Sequence, residues 1–128
     1  MIFGVGIDIV QIDRIKKILS QKSADSFLKK IASTSEIAQS RKIKNNLAQY
    51  WANRYAVKEA AAKALGTGFG KNFSPSEFII SSDNHGKPIA NTIGKLNKLI
   101  KKLNIHNIHI SMSHESNSAI AIVIFEKR

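Results

Sequence analysis

Apolar positions along the chain change their period several times, and each change marks an element. Residues 2–10, IFGVGIDIV, carry β-branched residues at short spacing and predict a buried strand. Gly4 and Gly6 inside it mark close approach by another backbone. From residue 11 the spacing lengthens. Ile12, Ile15 and Leu19, with Ile18 beside them, lie at helical intervals over 11–20, and Arg14 and Lys17 fall off that stripe. Residues 24–31 predict a second short helix with Phe27, Leu28 and Ile31 inward, and 34–40 a third. Residues 46–65 carry the clearest helical signal, with seven Ala, two Leu and neither Gly nor Pro. Asn45 or Asn46 is placed to cap the start of this helix, and Gly66 to end it. One side holds Ala56, Val57, Ala60, Ala61 and Ala64, small enough for another backbone to pack closely. Arg54, Lys58, Glu59 and Lys63 share the other half with Trp51, Tyr55 and Leu65.

Beyond the long helix, GTGFGK at 66–71 is a glycine loop. Residues 77–83 predict a strand, and the NHGKP turn at 84–88 makes it one arm of a hairpin. Residues 92–104 repeat Ile93, Leu96, Leu99, Ile100 and Leu103 at helical spacing, with Lys95, Lys98, Lys101 and Lys102 outside. Residues 105–113 alternate, and 118–125, SAIAIVIF, predict a buried strand paired with them across a short gap. No repeat, linker or low-complexity segment interrupts the chain. The order predicts a single α+β domain over 1–128. A largely antiparallel sheet packs against the long Ala-rich helix and the shorter ones.

Composition narrows the class. A chain of 128 residues buries roughly two thirds of its unfolded surface and needs no disulfide or metal to fold. The absence of cysteine excludes disulfide scaffolds, thiolate metal sites and thiol nucleophiles, and fits a reducing cytoplasm. No apolar run approaches the length of about 18 residues that a membrane span needs. The N-terminus lacks a basic leader, so no signal peptide is expected. Twenty Lys and Arg against nine Asp and Glu give a net charge of +11, which attracts polyanions. Sixteen of the twenty are Lys, so part of the excess is ordinary solvated surface.

Few residues carry candidate chemistry. Asp8 stands inside an apolar strand, where a carboxylate is costly unless it is paired or binds a cation. Glu59 and Lys63 are spaced i, i+4, which describes either a plain helix salt bridge or a carboxylate for a divalent cation beside an ammonium for a phosphate. The glycines Gly66, Gly68 and Gly70 close a helix, so they read as a C-cap and turn or as a phosphate-approaching loop, and match neither nucleotide-binding fingerprint. His114 is either a turn histidine or a phosphate contact and proton carrier. His106 and His109 fall on opposite sides of a strand and cannot share a metal. The helices at 11–31 expose Arg14, Lys16, Lys17, Lys22, Lys29 and Lys30, either a solvated face or a dock for an acidic helical protein.

GVGIDIVQIDRI at 4–15, NRYAVKEAAAKALGTG at 53–68, the GKP turn at 86–88 and SMSHESNSAIA at 111–121 occur in one order. Together, over essentially the whole chain, they closely resemble the holo-acyl-carrier-protein synthase family, the short bacterial 4'-phosphopantetheinyl transferases. That resemblance implies transfer of the 4'-phosphopantetheine arm of coenzyme A to a serine of apo-acyl carrier protein, within fatty acid biosynthesis. It implies Mg2+ held by Asp8 and Glu59, Lys63 near the reacting phosphate, and Arg54, Gly66, Gly68, Gly70 and His114 along the coenzyme A site. It implies Arg14 and Lys17 on the face meeting the acidic carrier protein, and a homotrimer with sites between subunits. Larger relatives carry a second acid two residues after the strand aspartate. Here that position is Val10, which leaves two protein carboxylates and more of the metal's octahedron to water. The general base stays open between Glu59 and a water.

Two rival readings remain at this stage. One is a small basic nucleic-acid-binding module, weakened by the 7% aromatic content and by the lack of a recognised RNA-binding or zinc-finger pattern. The other is a non-catalytic relative that only binds coenzyme A or the carrier protein.

Overall fold

Two glycines decide how the first strand meets the long helix. Strand β1 (Ile2–Gln11) lies directly on helix α4 (Leu47–Leu65), and a Cβ at Gly4 or Gly6 would collide with the carbonyl oxygens of Ala64 and Ala60. Only glycine on the strand, with alanine on the helix, allows backbones this close. The computed structural model describes residues 1–128. After β1 the chain forms α1 (Ile12–Leu19), α2 (Ala24–Ile31) and α3 (Thr34–Ser40), then α4. A 3-10 turn at Pro75–Glu77 leads into the hairpin β2 (Phe78–Ser82) and β3 (Pro88–Thr92). Helix α5 (Gly94–Lys102) and the long hairpin β4 (Ile105–Glu115) and β5 (Ser118–Lys127) complete the chain.

The main sheet is antiparallel in the order β1-β5-β4, with β2-β3 as a separate antiparallel pair. Its register places Gly6 opposite Val123, Asp8 opposite Ala121 and Val10 opposite Ala119. These residues, with Phe125, face α4, and 23 buried apolar residues form one contiguous cluster between sheet and helices. The expected α+β architecture and the helices at 24–31 and 34–40 are present with those bounds. No helix is long and apolar enough to cross a membrane.

Two local expectations need correction. The strands read as buried are buried on one face only. Val5, Ile7 and Ile9 of β1 and Ile120 and Ile122 of β5 remain exposed on the other. An unbroken apolar run suits a strand covered on both sides, and nothing in this chain covers the outer side. Asn46 occupies the N-cap position of α4, but in the left-handed conformation (φ 62°), and its side chain makes no capping hydrogen bond. Gly66 ends the helix as expected, with φ 78°.

Lys58 has surroundings that the sequence left open. It shares a half of α4 with Glu59 and Lys63 in projection, yet its side chain is wholly buried. Its ammonium lies 2.8 Å from Glu36 Oε1 and also donates to the Pro75 carbonyl oxygen. Glu36 is the reciprocal half of a capping box with Ser33, and its other oxygen accepts from the Ile80 backbone N–H. The pair therefore ties α3, α4 and the entry to β2 around one buried charge pair. Burial pulls the Lys58 ammonium below the ordinary lysine range, and the Glu36 carboxylate pulls it back up.

Candidate active site

Alternation along β1 delivers Asp8 to the helix. Gly4, Gly6 and Asp8 share one face, and Ala64 and Ala60 of α4 pass over the first two. The next step along the strand brings Asp8 beside the turn of α4 that carries Glu59 and Lys63. Lys63 Nζ donates to Asp8 Oδ1 at 3.0 Å and to the Ile7 carbonyl oxygen at 3.1 Å. The i, i+4 salt bridge open to Glu59 and Lys63 is thus not formed. Three ion pairs occur in the chain and none includes Glu59, which sits half-buried without a cationic partner.

Tyr55, one turn before Glu59, was not singled out as a site residue by sequence reasoning. Its ring is stacked on Phe27 at 5.9 Å and met edge-on by Phe69 of the glycine loop at 6.0 Å. Burial and the Glu59 charge push the Tyr55 hydroxyl above the usual phenol range, while Arg14 pulls it down. The Arg14 guanidinium carbon lies 5.7 Å from the Tyr55 ring centre, so α1 presents this cation at the edge of the site. Lys17 lies exposed on the same helix.

Gly66, Gly68 and Gly70 all have positive φ, and nothing stands where their Cβ atoms would be. They are therefore required by backbone conformation and not by packing. The turns they make aim Phe69 inward, where it stacks on Phe73 as well as meeting Tyr55. The loop is thereby fastened to Tyr55, one turn of α4 before Glu59.

Arg54 and His114 lie elsewhere. Nine residues separate Arg54 from Lys63, which puts them on opposite sides of α4. The Arg54 guanidinium covers the Tyr50 ring at 3.6 Å, its Nε has no hydrogen-bond partner, and burial lowers its pKa. His114, exposed near the end of β4, has its Nε2 3.0 Å from the Gln49 side-chain amide in the first turn of α4. That turn is about 15 Å along the helix from Glu59. A cavity of about 670 Å³ opens at this far end and is lined by Asp13, Lys16, Asn46, Gln49 and Asn117. Within one chain the structure joins Asp8 to Lys63, with Glu59 one turn before Lys63 on α4 and Tyr55, beside Arg14 and Phe69, one turn earlier still. It does not bring Arg54 or His114 to them. His106 and His109 have separate partners, Asn104 and Glu126.

The donor set suits a hard divalent cation. Asp8 and Glu59 offer carboxylate oxygens, and Glu59 lacks any competing cation. No cluster of three or more His, Cys, Asp or Glu side chains occurs, and Val10 is buried in the core. Two carboxylates leave coordination positions for water and substrate phosphate, the habit of Mg2+ and not of a closed structural zinc site.

Two missed features had signals. Ser33-Thr34-Ser35-Glu36 is a capping-box pattern. Trp51, Lys58 and Leu65 recur every seven residues on one line of α4, so buried Trp51 argues for a buried Lys58.

Comparison with known proteins places the chain in a family. Residues 4–123 match the 4'-phosphopantetheinyl transferase superfamily. The chain is 43% identical over 125 residues to the holo-[acyl-carrier-protein] synthase of Aliivibrio fischeri, covering 98% of each. Its fold is similar to the crystal structure of holo-[acyl-carrier-protein] synthase from Neisseria meningitidis, with TM-score 0.91 and 34% identity over 99% of this chain and 100% of that one. It is also similar to a holo-(acyl-carrier-protein) synthase from Bacillus anthracis in complex with CoA (3',5'-ADP), with TM-score 0.83 and 36% identity over 100% and 99%. The chain belongs to the 4'-phosphopantetheinyl transferase superfamily.

Proposed function

We propose that this protein transfers 4'-phosphopantetheine from coenzyme A to a serine of apo-acyl carrier protein, at a site centred on Asp8, Glu59 and Lys63. The observation that carries the reading is a carboxylate seated in an apolar strand and paired with a half-exposed ammonium, one helical turn from a second carboxylate that has no cation of its own. The serine oxygen forms a bond to the phosphorus bearing the pantetheine arm. The bond from that phosphorus to the bridging oxygen breaks, and adenosine 3',5'-bisphosphate leaves. Catalysis of such a transfer rests on position and charge neutralisation.

Asp8 and Glu59 would hold Mg2+, which supplies charge neutralisation on the pyrophosphate. Lys63 is half exposed, and its two surface contacts, to Asp8 and to the Ile7 carbonyl oxygen, can be exchanged for a phosphate oxygen. Glu59, with no lysine or arginine paired to it, is also placed to accept the serine proton. Arg14 and Lys17 present positive charge on α1 to an acidic carrier protein.

The outer face of the sheet supports a homotrimer. Val5, Ile7, Ile9, Ile120 and Ile122 make one exposed apolar surface, unusual for a lone soluble chain. Arg54 and His114 lie too far from the carboxylates to serve them in the same chain. An assembly through this face lets one chain's His114 side meet another's Asp8 and Glu59.

The test is to incubate the protein with coenzyme A, Mg2+ and apo-acyl carrier protein and weigh the carrier. The expected result is a gain of one phosphopantetheine, lost on chelation and reduced about 100-fold or more by Glu59→Gln. No gain beside an active control enzyme would refute the transferase. Sedimentation at three chain masses is expected, and a monomer at working concentration would refute the shared site.

A further inference from the structure

Arg54 is a cation without a counter-charge. It takes part in none of the chain's three ion pairs, and its buried Nε has no hydrogen-bond partner. The buried carboxylate on α3 has no room for it. Glu36 Oε1 already accepts from Lys58, from the Ser33 hydroxyl and from the Ser33 N–H, and Oε2 accepts from the Ile80 N–H. A half-buried cation left in this way is costly unless an anion from outside the chain completes it.

One aromatic ring holds the guanidinium. Its carbon stands 3.6 Å from the centre of the Tyr50 ring, one turn earlier on α4. Tyr50 is itself fixed. Its side chain is buried, its ring and that of Trp51 meet edge to face at 4.9 Å, and its hydroxyl donates to the Glu36 carbonyl oxygen at 3.0 Å. A guanidinium is flat, and its N–H donors lie in its plane. Stacking covers a face and leaves those donors pointing sideways. A ring can therefore hold Arg54 while its donors stay free for an anion, whereas a carboxylate partner would occupy them. The fork of donors matches the oxygens of a phosphate.

We propose that Tyr50 is a positioning residue that holds the Arg54 guanidinium open for a phosphate group of coenzyme A. This rests on the transferase reading and the shared site above. Coenzyme A carries a pyrophosphate and a 3'-phosphate, and either offers the oxygens that the fork takes. Arg54 and Lys63 stand on opposite sides of α4, so the coenzyme A that Arg54 meets is the one reacting at a neighbouring copy's carboxylates. Away from Lys63, the contact is made equally before and during transfer. It tightens substrate binding and leaves the chemical step unchanged.

The experiment titrates coenzyme A into the full-length protein by calorimetry and follows transfer by carrier mass in the same preparations. Arg54→Gln is expected to weaken binding about 10-fold or more, the scale of a hydrogen-bonded charge. Tyr50→Leu removes the ring and keeps the arginine. It is expected to weaken binding about fivefold or more and to raise KM by a similar factor, with kcat within about twofold of wild type. Tyr50→Phe keeps the ring and is expected to bind within about twofold of wild type. The Tyr50→Leu, Arg54→Gln double variant is expected to bind no more weakly than Arg54→Gln. 3'-Dephospho-coenzyme A identifies the phosphate. Wild type and variants bind it alike if Arg54 takes the 3'-phosphate, and the losses persist if it takes the pyrophosphate. Additive losses in the double variant, or a Tyr50→Leu protein that binds as wild type does, overturn the proposal. If Tyr50→Leu does not fold, Arg54→Lys decides, because it keeps the charge and lacks the flat stack. Its binding as wild type overturns the proposal, and a loss matching Arg54→Gln upholds it. A wild type that binds no coenzyme A also overturns it. A wild type that binds coenzyme A and transfers nothing overturns the transferase reading, and the binding comparison then decides the role of Tyr50 by itself.

Discussion

Helix α4 carries two lysine–carboxylate pairs five residues apart, with nearly equal contacts and opposite surroundings. Lys58 and Glu36 stand 2.8 Å apart with side chains 0% and 1% exposed, whereas Lys63 and Asp8 stand 3.0 Å apart at 54% and 15%. The inner pair is closed. Glu36 also accepts from the Ser33 N–H, the Ser33 hydroxyl and the Ile80 N–H, and Lys58 also donates to the Pro75 carbonyl. The outer pair is open. One Asp8 oxygen accepts no hydrogen bond from the protein, and the Lys63 side chain, which also donates to the Ile7 carbonyl oxygen, is half exposed. Distance does not separate a structural ion pair from a reactive one. Burial and unused hydrogen-bonding capacity do.

The largest effect expected from breaking this contrast is on stability at the inner pair. Lys58→Met leaves Glu36 charged and unpaired in the core, which costs about 3–5 kcal/mol. Urea unfolding should show it as a midpoint shift with unchanged slope. The enzyme that remains folded is expected to turn over near the wild-type rate. Next in size is the effect of Lys63→Met. Its contact with Asp8 is a surface pair worth up to about 1 kcal/mol, so the unfolding curve should barely move. Turnover is expected to fall about 100-fold or more, in kcat and not only in KM, because a charge poised for the transition state is removed. A Lys63→Met protein as unstable as Lys58→Met, with its activity intact, would reverse the assignment of the two pairs.

Legibility in the sequence follows the same division. Helix α4, the hairpins and the strand-on-helix contact at Gly4 and Gly6 were readable, because period, turn residues and glycine act locally. Asp8 was readable as costly because a lone carboxylate in an apolar strand has few explanations. The partner of Lys63 was not. Helical spacing nominates Glu59, and only the packing of β1 on α4 offers Asp8 instead. Lys58 was missed for a related reason. Its partner Glu36 lies on another helix, 22 residues away, and no periodicity spans that distance. The outer sheet face was misread because an apolar run records that both sides are covered without saying whether the second cover is this chain or another.

The smallest effect is the one that decides whether the two pairs are independent. Five residues along α4 amount to about 7.5 Å of rise and 140° of rotation, and the pairs share no partner in the structure. Their stability effects should therefore add, with the Lys58→Met, Lys63→Met double variant within about 0.5 kcal/mol of the sum. Glu59 sits between the two lysines in sequence and makes the test informative. A coupling above about 1 kcal/mol would mean that loss of the buried ammonium turns the helix enough to disturb the Lys63–Asp8 contact. Lys58 would then act on the site through the helix, and its variant should lose turnover as well as stability. Additivity together with an active Lys58→Met enzyme would establish that α4 holds its core charge and its reacting charge as separate devices on one rigid rod.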